Sequence, residues 1–222
     1  MAKNDEGRIE KPNLIICEGL DMKLFIIQCL TFLKGENPVF DEFQAMDAQG
    51  NSNIPKFIEM LELLSNFEIV KSIIIVRDAE DDASGASDSL KNTLSKCGYS
   101  IPEKANSIAR ANGKLKKISV AYIILPDVKT GLKNGTLEDL CMKILSDGNG
   151  ANEIAQQAQL AVDSLNSSVN YKRKHKNLLH TYLSLTNEYV SMKIGESAQA
   201  GAYDFTSDDI NAIKELMIKI SR

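Results

Sequence analysis

The sequence predicts an α/β fold with a mainly parallel sheet of about four strands, flanking helices and a helical C-terminal extension. First, short apolar runs alternate with helical patterns. Second, the run “KSIIIV” is rich in Ile and Val and does not alternate with polar residues, as is typical of a strand covered on both faces. Third, only helical patterns follow “SDGNGAN”. Strands that alternate with helices favour parallel pairing with right-handed crossovers. The predicted strands cover 13–17, 42–47, 71–76 and 118–125.

Helical patterns fill the segments between and after these strands. Asp21 and Thr136 are candidate N-caps, and Asp139 stands three residues after Thr136. The stretch 99–117 contains several lysines and shows neither the helical nor the strand period of apolar residues, so we expect a loop or a hairpin insertion there. The predicted helices cover 21–33, 54–67, 87–97, 135–145, 153–167, 171–192 and 207–220.

The chain divides into three predicted segments. Residues 1–12 are polar and are expected to be a flexible N-terminus. Residues 13–146 contain the alternating pattern and form the predicted α/β core. Residues 147–222 form the predicted helical extension, which we expect to pack on the core.

Composition narrows the function classes. The chain has 222 residues, 43% of them hydrophobic and 25% charged, and a net charge of −4, so no overall basic field indicates nucleic acid. No run approaches the roughly 18 apolar residues of a membrane helix, so we expect no membrane partner. Widely spaced cysteines without metal-ligand spacing predict reduced core thiols and a cytoplasmic location. They are Cys17, Cys29, Cys97 and Cys141.

Acidic residues follow two of the predicted strands. Glu18 ends the first strand, and “DAEDD” at 78–82 ends the third. Because ligands bind beyond the carboxyl ends of parallel strands, these carboxylates are expected to meet and to hold Mg²⁺ or Mn²⁺. Two carboxylates about 8 Å or more apart could not share one ion, since oxygen–metal bonds are about 2.1 Å long. The alternative is a solvated acidic loop that starts the next helix.

The ordered motifs resemble those of Toprim domains, a Rossmann-like superfamily that includes topoisomerases, primases and nucleases. “LIICEG” places a glutamate after the first strand, and “IIIVRDAEDD” places spaced acids after the third. “AYIILPD”, “GTLEDL” and “LLHTYLSL”, with Gly195 beyond them, are similar to prokaryotic Toprim-like proteins related to the OLD-type nucleases. This resemblance covers the chain from about Asn13 to Phe205.

The resemblance implies a metal-dependent phosphoesterase, most plausibly a nuclease that acts on DNA in maintenance or defence. Lys176, in the basic run “NYKRKHKN”, would be the active-site cation, because OLD-type relatives place a lysine beside their metals. The same run also fits a solvated helix surface. The implied catalytic residues are Glu18, Asp78 and Lys176, the implied metal ligands are Glu18, Asp78, Glu80 and Asp82, and further candidates are Asp21, Asp81 and Glu138.

Two departures from the Toprim pattern keep a rival interpretation open. Met22 stands where an aspartate is expected, and Glu80 replaces the second aspartate of the Asp-x-Asp motif. The rival is a non-catalytic module with a degraded metal site that binds nucleic acid or a protein. A third hypothesis is a receiver-like or phosphatase-like domain with Asp78 as the phosphoryl acceptor.

The expected partners follow from motifs that the chain lacks. It contains neither G-x-x-x-x-G-K-[ST] nor G-x-G-x-x-G, so a separate partner would have to supply the ATPase domain of an OLD-type protein. DNA is the expected ligand under the nuclease hypothesis. The sequence leaves open whether the chain is a monomer or a homodimer.

Overall fold

A five-stranded, mostly parallel sheet with helices on both faces forms the framework of the protein. The computed structural model describes residues 8–110, 117–146, 151–169 and 174–222, and statements of number and absence below refer to them. The mixed α/β prediction is confirmed. The strands are β1 (Asn13–Cys17), β2 (Phe43–Asp47), β3 (Ser72–Asp78), β4 (Ile108–Ala109) and β5 (Ser119–Leu125).

The strand order is β2-β1-β3-β5-β4, with β4 antiparallel to β5 and the other pairs parallel. The short strand β4 is a fifth strand in addition to the four that were predicted. It lies in the stretch where a loop or a hairpin insertion was expected. Two residues are too few to show a strand period in the sequence. Every residue of β3 is buried because β1 and β5 flank it and helices cover both faces.

The helices mostly follow the predicted periods, with three differences. The helix predicted over 54–67 ends at Met60 and passes into a 3₁₀ turn over Leu61–Leu63, which stops at extended Leu64. The helix predicted over 171–192 stops before extended Thr186, and its first residues, 171–173, lie outside the described part. A six-residue helix at Ile194–Gln199 was not predicted. The helices are α1 (Leu20–Lys34), α2 (Ile54–Met60), α3 (Ala83–Lys96), α4 (Leu137–Lys143), α5 (Ala151–Val169), α6 (Lys174–Leu185), α7 (Ile194–Gln199) and α8 (Asp208–Ile220).

The two faces of the sheet carry different helices. Side chains of α2 and α3 pack on one face, and side chains of α1 and of α4 to α8 contribute to a larger core on the other. Phe25 of α1 joins this core to the C-terminal segment, because its ring centroid lies 5.8 Å from that of Tyr203 and 5.6 Å from that of Phe205. The C-terminal helices and the sheet therefore share one core.

Residues 8–12, the described part of the N-terminal segment, contact the rest of the protein. Residues 1–7 of the expected flexible N-terminus lie outside the described part. Ile9, by contrast, is fully buried, and its N–H donates to the Ser65 carbonyl at 3.0 Å. The side chain of Gln44 also accepts the N–H groups of Glu10 and Lys11, so burial and hydrogen bonds together hold the chain here before β1 begins.

The sheet order creates a switch point between β1 and β3. From β1 the chain passes to β2 on one side, and β3 then pairs with the opposite edge of β1. In open α/β sheets the loops at the carboxyl ends diverge at such a point and leave a crevice for ligands. Glu18 and Asp78 stand at these two strand ends. None of the described helices combines the length and the apolar character that crossing a membrane requires.

We predict that Gly195→Ala destabilises the packing of α7 on α1. A methyl group at Gly195 would overlap the side chain of Leu24, whereas one at Gly19 meets nothing within 4 Å. Overpacking typically costs about 1–3 kcal/mol, which exceeds the roughly 1 kcal/mol gained in helix propensity. Chemical denaturation should show a lower free energy of unfolding for Gly195→Ala and a smaller change for Gly19→Ala. Equal effects would contradict close α1–α7 packing.

Candidate metal centre

Glu18 is held toward β3 by the backbone. Its N–H donates to the Val76 carbonyl at 3.1 Å, and its carbonyl accepts from the Gly50 N–H at 2.7 Å. Its side-chain Oε2 accepts the backbone N–H of Asp78 at 3.1 Å. Hydrogen bonds to β3 and to Gly50 thus fix the main chain of Glu18, and a hydrogen bond across the switch point fixes its carboxylate.

Asp78 is the last residue of β3 and is only 8% exposed. Its Oδ1 accepts the N–H of Leu137, the first residue of α4, at 2.9 Å. The hydrogen bonds between described residues thus occupy Oδ1 of Asp78 and Oε2 of Glu18. One oxygen of each carboxylate remains for another ligand.

Glu80 is positioned by a clamp between two loops. It adopts the left-handed conformation, with φ of 54°, and it exchanges two backbone hydrogen bonds with Gly135, at 2.9 and 2.8 Å. The side chain of Asn134 completes the clamp, because it donates to the Asp81 carbonyl at 2.5 Å and accepts the Ala83 N–H at 2.9 Å. The acidic loop is therefore tied to the loop that precedes α4.

The three carboxylates of Glu18, Asp78 and Glu80 form a compact cluster. One oxygen from each lies within 4.8 Å of the others, far inside the separation of about 8 Å at which a shared ion becomes impossible. Oxygens on opposite sides of one Mg²⁺ are about 4.2 Å apart, because each bond is about 2.1 Å long. Neighbouring oxygens on an octahedral ion are only about 3.0 Å apart, so the three side chains would have to close by up to about 1.8 Å around it. The all-oxygen donor set is the kind that Mg²⁺ and Mn²⁺ prefer.

Burial and mutual repulsion raise the pKa values of two of these groups. Burial, followed by the negative charges of Glu18 and Glu138, raises the pKa of Asp78 to about 8, although the hydrogen bond from Leu137 lowers it. Burial also raises the pKa of Glu18, against the hydrogen bond from Asp78 and the positive charge of Arg77. A bound divalent cation would restore the ionised forms.

Lys176 contacts the edge of the cluster through Glu138. Its Nζ lies 3.3 Å from Glu138 Oε1, and the Glu138 side chain is only 7% exposed. Burial alone would raise the pKa of Glu138, but a hydrogen bond from Thr136, one from its own backbone and the charge of Lys176 lower it overall. Lys176 also acts on the charge of Glu18. The structure thus brings both predicted residues to the site.

Other predicted residues lie outside the three-carboxylate cluster. Asp82 is exposed and caps α3, because its Oδ1 accepts the Gly85 N–H at 2.9 Å. Asp21 and Asp81 are exposed. Met22 stands at the position where the Toprim pattern expects an aspartate. Its side chain is buried in the core, so this position supplies no carboxylate to the site.

Sequence reasoning missed three residues beside the cluster: Arg77, Asn134 and Gly135. Arg77 is a charged residue inside a buried strand, which is rare and could have signalled a site. The Asn134-Gly135 pair indicates a turn, but nothing local shows that the turn pairs with Glu80. Burial lowers the pKa of Arg77, whereas the charges of Glu18, Asp78 and Glu80 raise it.

We predict that Asp78→Asn stabilises the metal-free protein, and more so at pH 8 than at pH 5. The folded state holds the Asp78 proton up to about pH 8, whereas the unfolded state loses it near pH 4. Stability of the unmodified protein therefore falls as pH rises across this window. An asparagine does not titrate, yet its oxygen can still accept the Leu137 N–H.

Thermal unfolding in EDTA at pH 5 and pH 8 would test this. The melting temperature of Asp78→Asn relative to the unmodified protein should rise by several degrees between the two pH values, corresponding to a few kcal/mol. Asp88→Asn is the matched control, since Asp88 is an exposed residue of α3. A difference that is the same at both pH values would contradict the proposed repulsion.

Comparison with known proteins gives one match. No curated protein and no solved structure matches the chain. A family model described as “Protein of unknown function (DUF3226)” matches residues 12–221. Since the match covers nearly the whole chain, including both strand ends that carry the carboxylates, the protein belongs to the DUF3226 family.

Proposed function

We propose that the protein is a Toprim-like, Mg²⁺- or Mn²⁺-dependent phosphoesterase, most plausibly a nuclease that cleaves DNA. One observation carries the proposal: oxygens of Glu18, Asp78 and Glu80 lie within 4.8 Å of one another at the switch point of a mainly parallel sheet. Carboxylates in a crevice at this position are typical of ligand and metal sites.

The Toprim-like assignment rests on where the motif residues stand in the sheet. The resemblance requires a glutamate after the first strand and spaced acids after the third. In the structure β1 and β3 are neighbours, and the Asp78 N–H donates to the Glu18 side chain. Two motifs 60 residues apart in the sequence thus meet in one site.

The cluster suits phosphodiester hydrolysis. A divalent ion held by Asp78 and Glu80 would stabilise the negative charge that develops on the phosphate oxygens. Glu18 is the candidate general base toward the attacking water, since burial raises the pKa of its carboxyl and makes it a stronger base. Its proton would then pass to solvent or to the leaving 3′ oxygen.

Lys176 would stabilise the phosphate from the α6 side of the site. Its ion pair with buried Glu138 restricts the ammonium group to the edge of the cluster. A lysine held in this way can attract the phosphate without neutralising the metal ligands. Glu138 therefore acts as a positioning residue for Lys176 in this proposal.

Buried Met22 favours the second candidate function, a non-catalytic module. The methionine removes a carboxylate that the Toprim pattern expects and places a thioether in the core. Glu80 adds a longer arm where an aspartate is expected. A module of this kind would bind metal or DNA at the same carboxylates without cleaving the nucleic acid.

Cleavage assays separate the two candidates. The full chain is incubated with plasmid and single-stranded DNA in Mg²⁺ or Mn²⁺, beside Asp78→Asn and the control Asp88→Asn. We expect metal-dependent cleavage that falls about a hundredfold or more in Asp78→Asn, because a ligand and its charge are lost, and that persists in the control. Mn²⁺ or DNA binding without cleavage would support the module, and equal cleavage by all three proteins would refute the assigned site.

A further inference from the structure

Arg77 is a buried cation without a carboxylate partner. It is 7% exposed and lies in β3 directly before Asp78. Charged residues are rarely so buried unless they are paired. Among the described residues, no carboxylate oxygen lies within 4.0 Å of its guanidinium nitrogens. Its guanidinium therefore forms no ion pair with the described residues.

The amino nitrogens of Arg77 remain available for a ligand. Its Nε donates to the Asp78 carbonyl at 3.3 Å, and the two amino groups make no hydrogen bond to the described residues. Neither amino nitrogen is a fully enclosed atom that lacks a partner. The side chain is buried, with 7% of its surface exposed.

Arg77 and Lys176 approach the carboxylates from opposite faces of the sheet. Residues alternate along β3, so Arg77 shares the face that α2 and α3 cover, and Asp78 points to the other face. Lys176 belongs to α6, whose buried residues join the core on the Asp78 face. Both cations are close enough to act on the charge of Glu18.

We propose that Arg77 binds a non-bridging oxygen of the substrate phosphate. The proposal rests on the phosphoesterase function above and adds a substrate-binding residue to it. A guanidinium presents paired N–H groups that match phosphate oxygens, and it stays charged when it is buried. Lys176 is held by its ion pair with Glu138, whereas the amino groups of Arg77 make no hydrogen bond to the described residues and can both bind an oxygen.

The competing explanation is that Arg77 only holds the carboxylates in their positions. The two roles predict opposite effects on metal binding. If Arg77 binds phosphate, its replacement removes a positive charge beside the cluster, so a divalent cation should bind equally well or more tightly. If Arg77 instead holds the carboxylates in place, its replacement should weaken metal binding together with phosphate binding.

Two binding measurements on the full chain test the proposal. Affinity for inorganic phosphate is measured in saturating Mg²⁺ by ³¹P NMR titration, and affinity for Mn²⁺ by electron paramagnetic resonance. The variants are Arg77→Gln and Arg77→Lys, with Arg8→Gln as control, since Arg8 is exposed. We expect Arg77→Gln to weaken phosphate binding tenfold or more without loss of Mn²⁺ affinity, and Arg8→Gln to change neither.

Arg77→Lys keeps the test decisive if Arg77→Gln does not fold. It retains the charge but loses the planar fork, so phosphate affinity should fall several-fold at unchanged Mn²⁺ affinity. Unchanged phosphate affinity in every folded Arg77 variant, or a parallel loss of Mn²⁺ affinity, would overturn the proposal. Failure of the phosphoesterase function is a separate result, because these titrations require no cleavage: the chain would then bind phosphate through Arg77 and leave DNA intact.

Discussion

Electrostatic repulsion among Glu18, Asp78 and Glu80 is the constraint to which the rest of the site responds. Their oxygens lie within 4.8 Å of one another, and Asp78 is almost fully buried. Such a group is costly to ionise, and the raised pKa of Asp78 expresses that cost. The continuous apolar packing of the central strands offsets it, since β3 and its neighbours cannot separate without exposing the core. The sheet thereby holds an arrangement that isolated side chains would avoid.

Backbone hydrogen bonds determine which carboxylates belong to the cluster. Glu80 enters the cluster because Gly135 pairs with it and Asn134 ties the adjoining residues. Gly135 adopts φ of 133°, and a side chain there would approach Asp139 Oδ2 to 2.6 Å. That oxygen accepts the Thr136 N–H, and this hydrogen bond is part of the capping box at the N-terminus of α4. One turn therefore links the acidic loop with the start of α4, whose first N–H donates to Asp78.

The sequence predicted the parts that depend on local periodicity. The four longer strands agree with the apolar runs within two residues at their ends, and Glu18 and Asp78 stand at strand ends because those runs end there. Strand order is a long-range property, however, so the contact between Glu18 and Asp78 followed only from a general rule about parallel sheets. The clamp at Gly135 and the buried position of Arg77 depend on tertiary pairing that no local pattern contains. Asp82 stays a predicted ligand, and the structure adds that its carboxylate caps α3.

The balance of charge limits what the site can hold. Glu18, Asp78, Glu80 and Glu138 would carry four negative charges when ionised, and Arg77 and Lys176 bring two positive ones. The remainder, two negative charges, equals the charge of one divalent ion. A second ion would leave an excess of positive charge in a partly buried site until a phosphate arrived, and buried unpaired charge is expensive. Under the proposed function, the charge balance would therefore favour one ion in the substrate-free site, with any second ion entering together with the substrate.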